Sequence, residues 1–431
     1  MRILASWRWT MVAAAAAALL AGGASRAQLL PSTPDVGGVL GDVGRVATDA
    51  LGRTVEDVRT SARQLASARV DRLRDLVRAY PERLEMTDDG PAVRGEVIAI
   101  DPDPATLAAV EAAGFVRAGD EEIEGLGFRS AVLRVPRGWS VDRALSRLRR
   151  IAPDGEFAAN HLHVPSGVAA AGPQGLGAAA AARGRPAGPG AIGMIDGGIA
   201  AHPALGGAIR QRGFAAGAPR PSAHGTAVAS LIAGEGAVRG AAPGAPLVVA
   251  DVYGSDPAGG SALALVRALG WMVGERVPVV AVSLVGPANP LVARAVAQAR
   301  ARGLHIVAAV GNDGPAAPPA YPASYPGVIA VTGVDARNRV LIEAGRALDL
   351  DYAAPGADMA AAAPGGRLVP VRGTSYAVPF VAGRLARHVG APRPIAALDA
   401  EAERRGRRGV GRGVICGDCR TPYRRGQARR D

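Results

Sequence analysis

The amino-acid sequence predicts an α/β protein in which a mostly parallel sheet lies between two helical layers, preceded by a small α+β domain. Three observations lead to this fold class. From about residue 190 onward, short apolar strands alternate with helical stretches. Residues 94–165 have the pattern of a separate α+β unit, and residues 166–189 consist almost wholly of Ala, Gly and Pro. The chain has 431 residues, which is enough for two or three domains of ordinary size.

The segment 1–27 has the pattern of a secretory signal peptide. Arg2 and Arg8 precede a short apolar run, and small residues follow it, with Ala27 at the position of a cleavage site. We therefore expect cleavage before Gln28 and a secreted or periplasmic protein. A retained membrane anchor is the alternative, although the apolar run is short for a membrane span. No later stretch of the sequence predicts a transmembrane segment.

The next predicted region, residues 28–93, contains one long amphipathic helix over residues 42–80. Apolar residues recur there at spacings of three and four, with Arg and Asp on the other faces. Such a helix needs a partner for its apolar face. Packing onto the following domain is the simpler expectation, and self-association as a coiled coil is the alternative.

Residues 94–165 predict a compact α+β domain. Its first strand is followed by a helix with Asp103 as N-cap and Pro104 in the first turn. A weaker strand near residues 115–123, an alternating strand, a helix capped by Ser140 and a last strand complete the pattern. The resulting order is β-α-β-β-α-β, the split motif of ferredoxin-like domains.

The Ala/Gly/Pro segment 166–189 cannot bury a core, so it predicts a flexible and protease-accessible linker. The main domain is expected over residues 190–415. Apolar strands there alternate with helices over residues 225–234, 261–273 and 290–302. Ligands of parallel sheets bind beyond the carboxyl ends of the strands, so polar residues at those ends are the candidates for a functional site.

Composition argues against a specific nucleic-acid partner and against a zinc site, and we expect no cofactor. The net charge is +12, but the Arg residues are scattered and are not interleaved with aromatics. The predicted basic tail, residues 416–431, holds the two cysteines, Cys416 and Cys419. Two cysteines alone are a poor zinc site, and the strand–helix setting of a redox site is missing. A small disulfide loop and two idle thiols are the remaining alternatives.

Four polar residues lie at predicted strand ends or helix starts: Asp196, His224, Asn312 and Ser375. Each alone is explained by a turn or a helix start, and a Ser before an apolar helix is usually a cap. Together they are the groups that acyl transfer needs. A His base activates the Ser, a buried Asp orients the His, and an amide side chain donates to the developing oxyanion. We expect Ser375 both to cap its helix and to attack.

These segments resemble the subtilisin-like serine proteases, the subtilases. The blocks D-G-G-I, H-G-T, G-N and G-T-S-x-A occur in that family's order of Asp, His and Ser, and the resemblance runs from about residue 190 to about 415. It implies a subtilisin-like fold and a serine endopeptidase that acts on polypeptide substrates. By position, Asp196 would orient His224, which would be the general base and then the general acid for Ser375. The side chain of Asn312 and the backbone N–H of Ser375 would form the oxyanion hole.

The resemblance also implies substrate-binding strands and an inhibitory propeptide. The groove would lie between two edge strands, formed by Ser283, Leu284, Val285 and Gly286 on one side and by Ala309, Val310 and Gly311 on the other. A substrate peptide would pair with them as an added strand. Residues 94–165 resemble the family's propeptide in element order, so the protein would be a zymogen that inhibits itself and cuts itself within the linker. An unrelated accessory domain is the alternative.

Some positions depart from the family's pattern. Ala227 replaces a frequent second His, Tyr376 replaces the usual Met after the nucleophile, and Phe380 replaces the usual His after the Pro. The loop that holds a tight calcium ion in many subtilisins is too short here, so no such calcium site is expected. Tyr376 and Phe380 support the rival hypothesis of a catalytically silent binding protein on a subtilase scaffold.

Overall fold

The computed structural model describes residues 55–166, 168–169, 190–403 and 408–423. The predicted signal peptide, the beginning of the predicted long helix and most of the predicted linker lie outside the described residues. Within the described portion of the chain, no helix is both long enough and apolar enough to cross a membrane.

The N-terminal elements follow the predicted order, with one addition. They are α1 (Val55–Ala79), β1 (Leu84–Met86), β2 (Pro91–Ile100), α2 (Pro104–Ala112), β3 (Val116–Glu122), β4 (Arg129–Arg134), α3 (Val141–Ile151) and β5 (Glu156–His161). Strand β2 pairs with β5 on one side and with β4 on the other, and β4 also pairs with β3, all antiparallel. The sheet starts earlier than residue 94, because Leu84 pairs with Val93 in a hairpin ahead of the predicted domain.

Two short strands follow, β6 (Val164–Pro165) and β7 (Val168–Ala169). The elements of the main domain are β8 (Ile192–Asp196), β9 (Ile209–Gly213), α4 (Ala223–Ala233), β10 (Leu247–Asp251), α5 (Ala262–Gly274), β11 (Val279–Val282), β12 (Leu284–Val285), α6 (Pro290–Ala301), β13 (His305–Ala309), β14 (Ile329–Val334), β15 (Tyr352–Pro355), β16 (Met359–Ala363), β17 (Arg367–Arg372), a 3-10 turn (Thr374–Tyr376), α7 (Val378–Ala386) and α8 (Pro394–Glu401).

The main sheet has seven strands in the order β15-β14-β13-β11-β8-β10-β9, and each neighbouring pair is parallel. Both faces of its central strands are covered, so these strands are mostly apolar, and β8 and β10 each end in an Asp. One face packs against α4 and α7, and the other packs against α5 and α6. The sheet order reverses at β8, so the carboxyl end of β8, at Asp196, is where a ligand site is expected.

The α+β domain packs directly on the main domain. Residues Ile98, Ile123 and Phe128 belong to the same buried apolar cluster as Leu265 and Val292 on helices α5 and α6. Burial of apolar surface is the main favourable term in such contacts, at about 25 cal/mol per Å². The two domains are therefore held by a shared core as well as by the chain between them.

The C-terminal residues pack on the main sheet. Ile415 is fully buried and its N–H donates to the carbonyl oxygen of Ala353 on β15. Cys416 and Cys419 form a disulfide, which is the first of the two alternatives for these cysteines. Thr421 accepts a hydrogen bond from the N–H of Arg239 at its side chain, so residues predicted as a tail belong to the domain.

Candidate active site

Asp196 and His224 meet where the end of β8 approaches the start of α4. Ser222 caps α4 by accepting a hydrogen bond from the N–H of Gly225, which places His224 in the first turn. A Cβ atom at Gly225 would overlap the carbonyl oxygen of Gly197, so only glycine permits this close approach. Asp196 is buried, and its Oδ1 lies 2.9 Å from Nδ1 of His224. The carboxylate therefore orients the imidazole.

Ser375 completes a chain of hydrogen bonds with these two residues. Its Oγ lies 3.0 Å from Nε2 of His224. With the Nδ1 proton directed at Asp196, Nε2 is the acceptor for the Ser375 hydroxyl. The expectation that Ser375 caps its helix is wrong: α7 begins at Val378, and Ser375 lies in the preceding 3-10 turn without a capping bond.

The side chain of Asn312 points at a carbonyl from the chain itself. Its Oδ1 accepts a hydrogen bond of 2.9 Å from the N–H of Thr374, and its Nδ2 donates to the carbonyl oxygen of Ser166. The backbone N–H of Ser375 donates to the same oxygen at 3.3 Å. The two predicted oxyanion donors therefore converge on Ser166.

The residues before Ser166 form a strand with one of the predicted groove segments. Strand β6 pairs antiparallel with β12, and the N–H of Ser166 donates to the carbonyl oxygen of Ser283 at 3.2 Å. Leu284 and Val285 are the paired residues of β12, and Gly286 lies against the ring of His163. All four residues of the predicted segment 283–286 are thus in contact with residues 163–166.

The second predicted groove segment is placed differently. Ala309 belongs to an interior strand of the main sheet, where it pairs with Val331, and the N–H of Val310 donates to the same residue. The expectation of an edge strand over Ala309, Val310 and Gly311 is therefore wrong. Gly311 is the residue of this segment that comes near Val285, because a methyl group on Gly311 would lie 3.7 Å from a Val285 methyl.

The chain pairs again on the other side of Ser166. Strand β7 forms an antiparallel pair with the end of β17, in which Val168 is opposite Arg372 and Ala169 is opposite Val371. The chain is therefore held by backbone pairing both before and after Ser166.

Tyr376 lies beside the imidazole of His224. Its ring centroid is 5.2 Å from that of His224, and the residue is fully buried. Its hydroxyl has no hydrogen-bond partner among the described residues. Burial raises the pKa of Tyr376 well above its ordinary range, and the charge of Asp196 acts in the same direction. Tyr376, which stands where the family usually has Met, therefore packs against the site and keeps its hydroxyl proton at neutral pH.

Sequence reasoning misses two contributions to the site. Ser166 falls in the predicted linker and has no predicted role. Its place at the site depends on how the two domains dock, which no local sequence pattern reveals. Thr374 stands in the Ser375 block without a predicted role, yet its N–H fixes the orientation of Asn312. The position of Thr374 next to the Ser is the available signal.

The arrangement agrees with comparisons to known proteins. A model of the subtilase family matches residues 191–394. Subtilisin BL from Lederbergia lenta is 35% identical over 205 residues, which cover 45% of this chain and 74% of that protein. The chain belongs to the subtilase family. Subtilisin E from Bacillus subtilis (strain 168) is 33% identical over 210 residues, 45% of this chain and 54% of that protein. This subtilase thus spans about half the length of subtilisin E.

The fold of this subtilase also resembles a solved structure. Fervidolysin from Fervidobacterium pennivorans superposes with a TM-score of 0.62 at 19% identity, covering 78% of this chain and 62% of that chain. The predicted subtilisin-like α/β fold with a mostly parallel sheet is confirmed.

Proposed function

We propose that this subtilase is a serine endopeptidase that hydrolyses peptide bonds through an acyl-enzyme and is made as a self-processing zymogen. The observation that carries the proposal is the position of His224, whose two ring nitrogens contact Asp196 at 2.9 Å and Ser375 at 3.0 Å. A nucleophile within hydrogen-bond reach of a base that a third group orients is the arrangement that acyl transfer requires.

The reaction follows from these contacts. Ser375 Oγ attacks the substrate carbonyl carbon while His224 Nε2 takes the hydroxyl proton. The negative charge on the former carbonyl oxygen is stabilised by the Asn312 side chain and the Ser375 N–H. His224 then gives its proton to the leaving amine, and the C–N bond breaks to leave an ester on Ser375. Water, activated by the same imidazole, hydrolyses this ester and releases the new carboxylate.

The bond for self-processing is the one between Ser166 and Gly167. The Ser166 carbonyl oxygen accepts hydrogen bonds from both proposed oxyanion donors, and the chain pairs with the groove before and after it. The N-terminal portion of the chain would then be its own substrate first and its inhibitor afterwards, which supports the propeptide role of residues 94–165. Secretion or a periplasmic location remains a prediction from residues 1–27.

The first experiment follows self-processing in the full chain and in its Ser375→Ala variant. We expect the wild type to yield a new N-terminus with the sequence Gly-Val-Ala-Ala, starting at Gly167, and to react with a fluorophosphonate probe. The Ser375→Ala chain should stay whole and unlabelled. In Asn312→Ala, we expect the cut to slow by about 10²–10³-fold, as for the corresponding donor in a subtilisin.

Intact mass and N-terminal sequencing measure these outcomes. Cleavage of the folded Ser375→Ala chain at the same bond would assign the cut to another protease. A folded wild type that is neither cut nor labelled would favour the silent binding protein. A cut at a different bond would leave the endopeptidase proposal standing and remove the assignment of Ser166.

A further inference from the structure

Helix α1, which precedes the α+β domain in the chain, contacts the main domain next to Asn312, the proposed oxyanion donor. Nε of Arg69 lies 2.9 Å from Oδ2 of Asp313, and Nη2 of Arg72 lies 2.6 Å from Oδ1. Asp313 directly follows Asn312 in the chain. Two guanidinium groups from α1 thus share one carboxylate at the rim of the proposed active site.

This contact is more buried than an ordinary surface ion pair. The Asp313 side chain is only 18% exposed, and burial raises the pKa of its carboxyl while Arg69 and Arg72 act in the opposite direction. Each oxygen of the carboxylate has its own guanidinium partner, and charge-assisted hydrogen bonds of this kind are about twice as strong as neutral ones. Isolated, exposed pairs contribute about 0–1 kcal/mol, so partial burial sets this pair apart.

One face of α1 is directed at the rest of the protein. Arg69, Arg72 and Leu76 are spaced by three and four residues, so they lie on the same side of the helix. Leu76 packs into an apolar cluster with residues such as Leu84 and Ala258. The apolar contacts hold the C-terminal end of α1 at Leu76. Arg72 and Arg69 hold the helix about one and two turns before Leu76.

In this contact the N-terminal region supplies the positive charge, whereas the α+β domain supplies the negative charge in its own contact. That domain brings carboxylates to Arg residues of the main domain, as Glu121 does to Arg267. Helix α1 instead brings Arg residues to a carboxylate. The two contacts therefore recognise different surfaces of the main domain.

We propose that Asp313 is the docking site for α1 and that this helix is a second inhibitory element, separate from the strand in the groove. The partner of this site is the chain's own N-terminal fragment, which ends at Ser166 after processing. The inference rests on the proposed function. By binding beside Asn312, α1 keeps the cut fragment on the enzyme and delays the appearance of activity.

The test compares two double variants in the full chain. In Arg69→Ala/Arg72→Ala, both guanidiniums that contact Asp313 are removed, while Ala preserves the helix. The matched control is Arg74→Ala/Arg78→Ala, since these Arg residues pair with Asp residues of α1 itself. After self-processing and dilution, a fluorogenic peptide reports release of the fragment. We expect release to be about tenfold faster in the first variant, the scale of one hydrogen bond to a charged group, and unchanged in the control.

A second measurement does not depend on activity. In the uncut Ser375→Ala chain, hydrogen exchange of residues 64–79 should increase with Arg69→Ala/Arg72→Ala and not with the control. Asp313→Asn should reproduce the increase, and adding it to the Arg variant should bring no further change. Equal exchange and equal release in the test and control variants would overturn the docking site. A wild type that never cuts itself would instead contradict the proposed function, and the exchange measurement would still report on α1.

Discussion

Ser375 lies in a 3-10 turn, which leaves its hydroxyl available to His224. The helix behind it starts at Val378 with Pro379 in its first turn. Because Pro has no backbone N–H, one of the donors that a helix start leaves unpaired is missing, so the need for a side-chain cap is reduced. A Ser at a helix start could both cap the helix and act as a nucleophile. Here the helix starts at Val378, so Ser375 does not have to serve as its cap.

We infer that Val285 limits the space for the side chain that precedes the proposed cut bond. A methyl group on Gly311 would lie 3.7 and 3.8 Å from the two Val285 methyls, so Val285 fills the gap between the two segments. The Ser166 hydroxyl donates to the carbonyl oxygen of Ser283, two residues before Val285, at 3.3 Å. We therefore expect a small residue to be favoured at this position of a substrate.

We predict that Val285→Gly widens this preference toward large apolar residues. The ratio of kcat/KM for peptides with Phe to that for peptides with Ser before the cut bond should rise about 10- to 100-fold, the range for one changed apolar contact in a pocket. A peptide series that varies only this residue measures the ratio. Val285→Ala should give an intermediate value. An unchanged ratio in both variants would show that another residue limits the pocket.

At the scale of elements, helix α5 is shaped to receive the α+β domain. The turn after β3 lies on α5 at Gly270, where an added Cβ would overlap the carbonyl oxygen of Glu124. Gly in the middle of a helix costs about 0.5–1 kcal/mol relative to Ala. The helix therefore gives up intrinsic stability at a position where the N-terminal domain approaches its backbone.

Gly270→Ala should have opposite effects on fragment binding and on the stability of the main domain. The added methyl group should weaken binding of the cut N-terminal fragment by at least tenfold, because the Glu124 carbonyl must move. The same change should stabilise the main domain by about 0.5–1 kcal/mol once the fragment has left. Gly274→Ala is the control, since its Cβ would be 3.7 Å from Glu124 Oε1, an ordinary contact. Fragment affinity and denaturant unfolding measure the two effects; a loss of both binding and main-domain stability would contradict this account.

Among the strands of the main sheet, those that can be predicted from the sequence have both faces buried. Strands β8, β10, β11, β13 and β14 are continuous apolar runs, and their pattern is visible without the structure. Strand β9 is not predicted because it lies at the edge of the sheet, where Arg210 and Arg212 alternate with less polar positions. The four candidate site residues, Asp196, His224, Asn312 and Ser375, are predicted from their local sequence blocks. Ser166 and the Arg69–Asp313 contact are not, since each joins segments that are far apart in the chain.

At the scale of the whole molecule, docking of the N-terminal region buries an unpaired imidazole. His163 is fully buried against Gly286, and neither of its ring nitrogens has a hydrogen-bond partner among the described residues. Burial lowers the pKa of His163 from 6.5 to about 3, and nearby His161 acts in the same direction. The docked state therefore holds this ring neutral, whereas a released fragment binds a proton near pH 6.5.

Fragment binding should consequently weaken in acid. The separated state takes up the proton below pH 6.5 and the docked state does so only near pH 3, so stability is lost as pH falls through this window. From His163 alone, we expect about tenfold weaker binding at about pH 5.5 than at neutral pH, or about 1.4 kcal/mol. The dissociation constant of the fragment, measured against pH, gives the slope.

His163→Leu should reduce that slope by one proton. His388→Gln is the control, because His388 pairs with Glu401 within the main domain and keeps that environment when the fragment leaves. If His163→Leu and the wild type had the same slope between about pH 4 and 6, the imidazole would not be the group that titrates.

The carbonyl of Ser166 is delivered to Ser375 by the same polypeptide that carries the nucleophile. The proposed self-cleavage would therefore be a unimolecular reaction, whose half-life does not change when the protein is diluted. No encounter with a second enzyme molecule would be needed, so the rate would not depend on how much enzyme is already present. Processing would begin once the chain has folded around its own scissile bond. Any later delay before activity would then come from slow dissociation of the cut fragment.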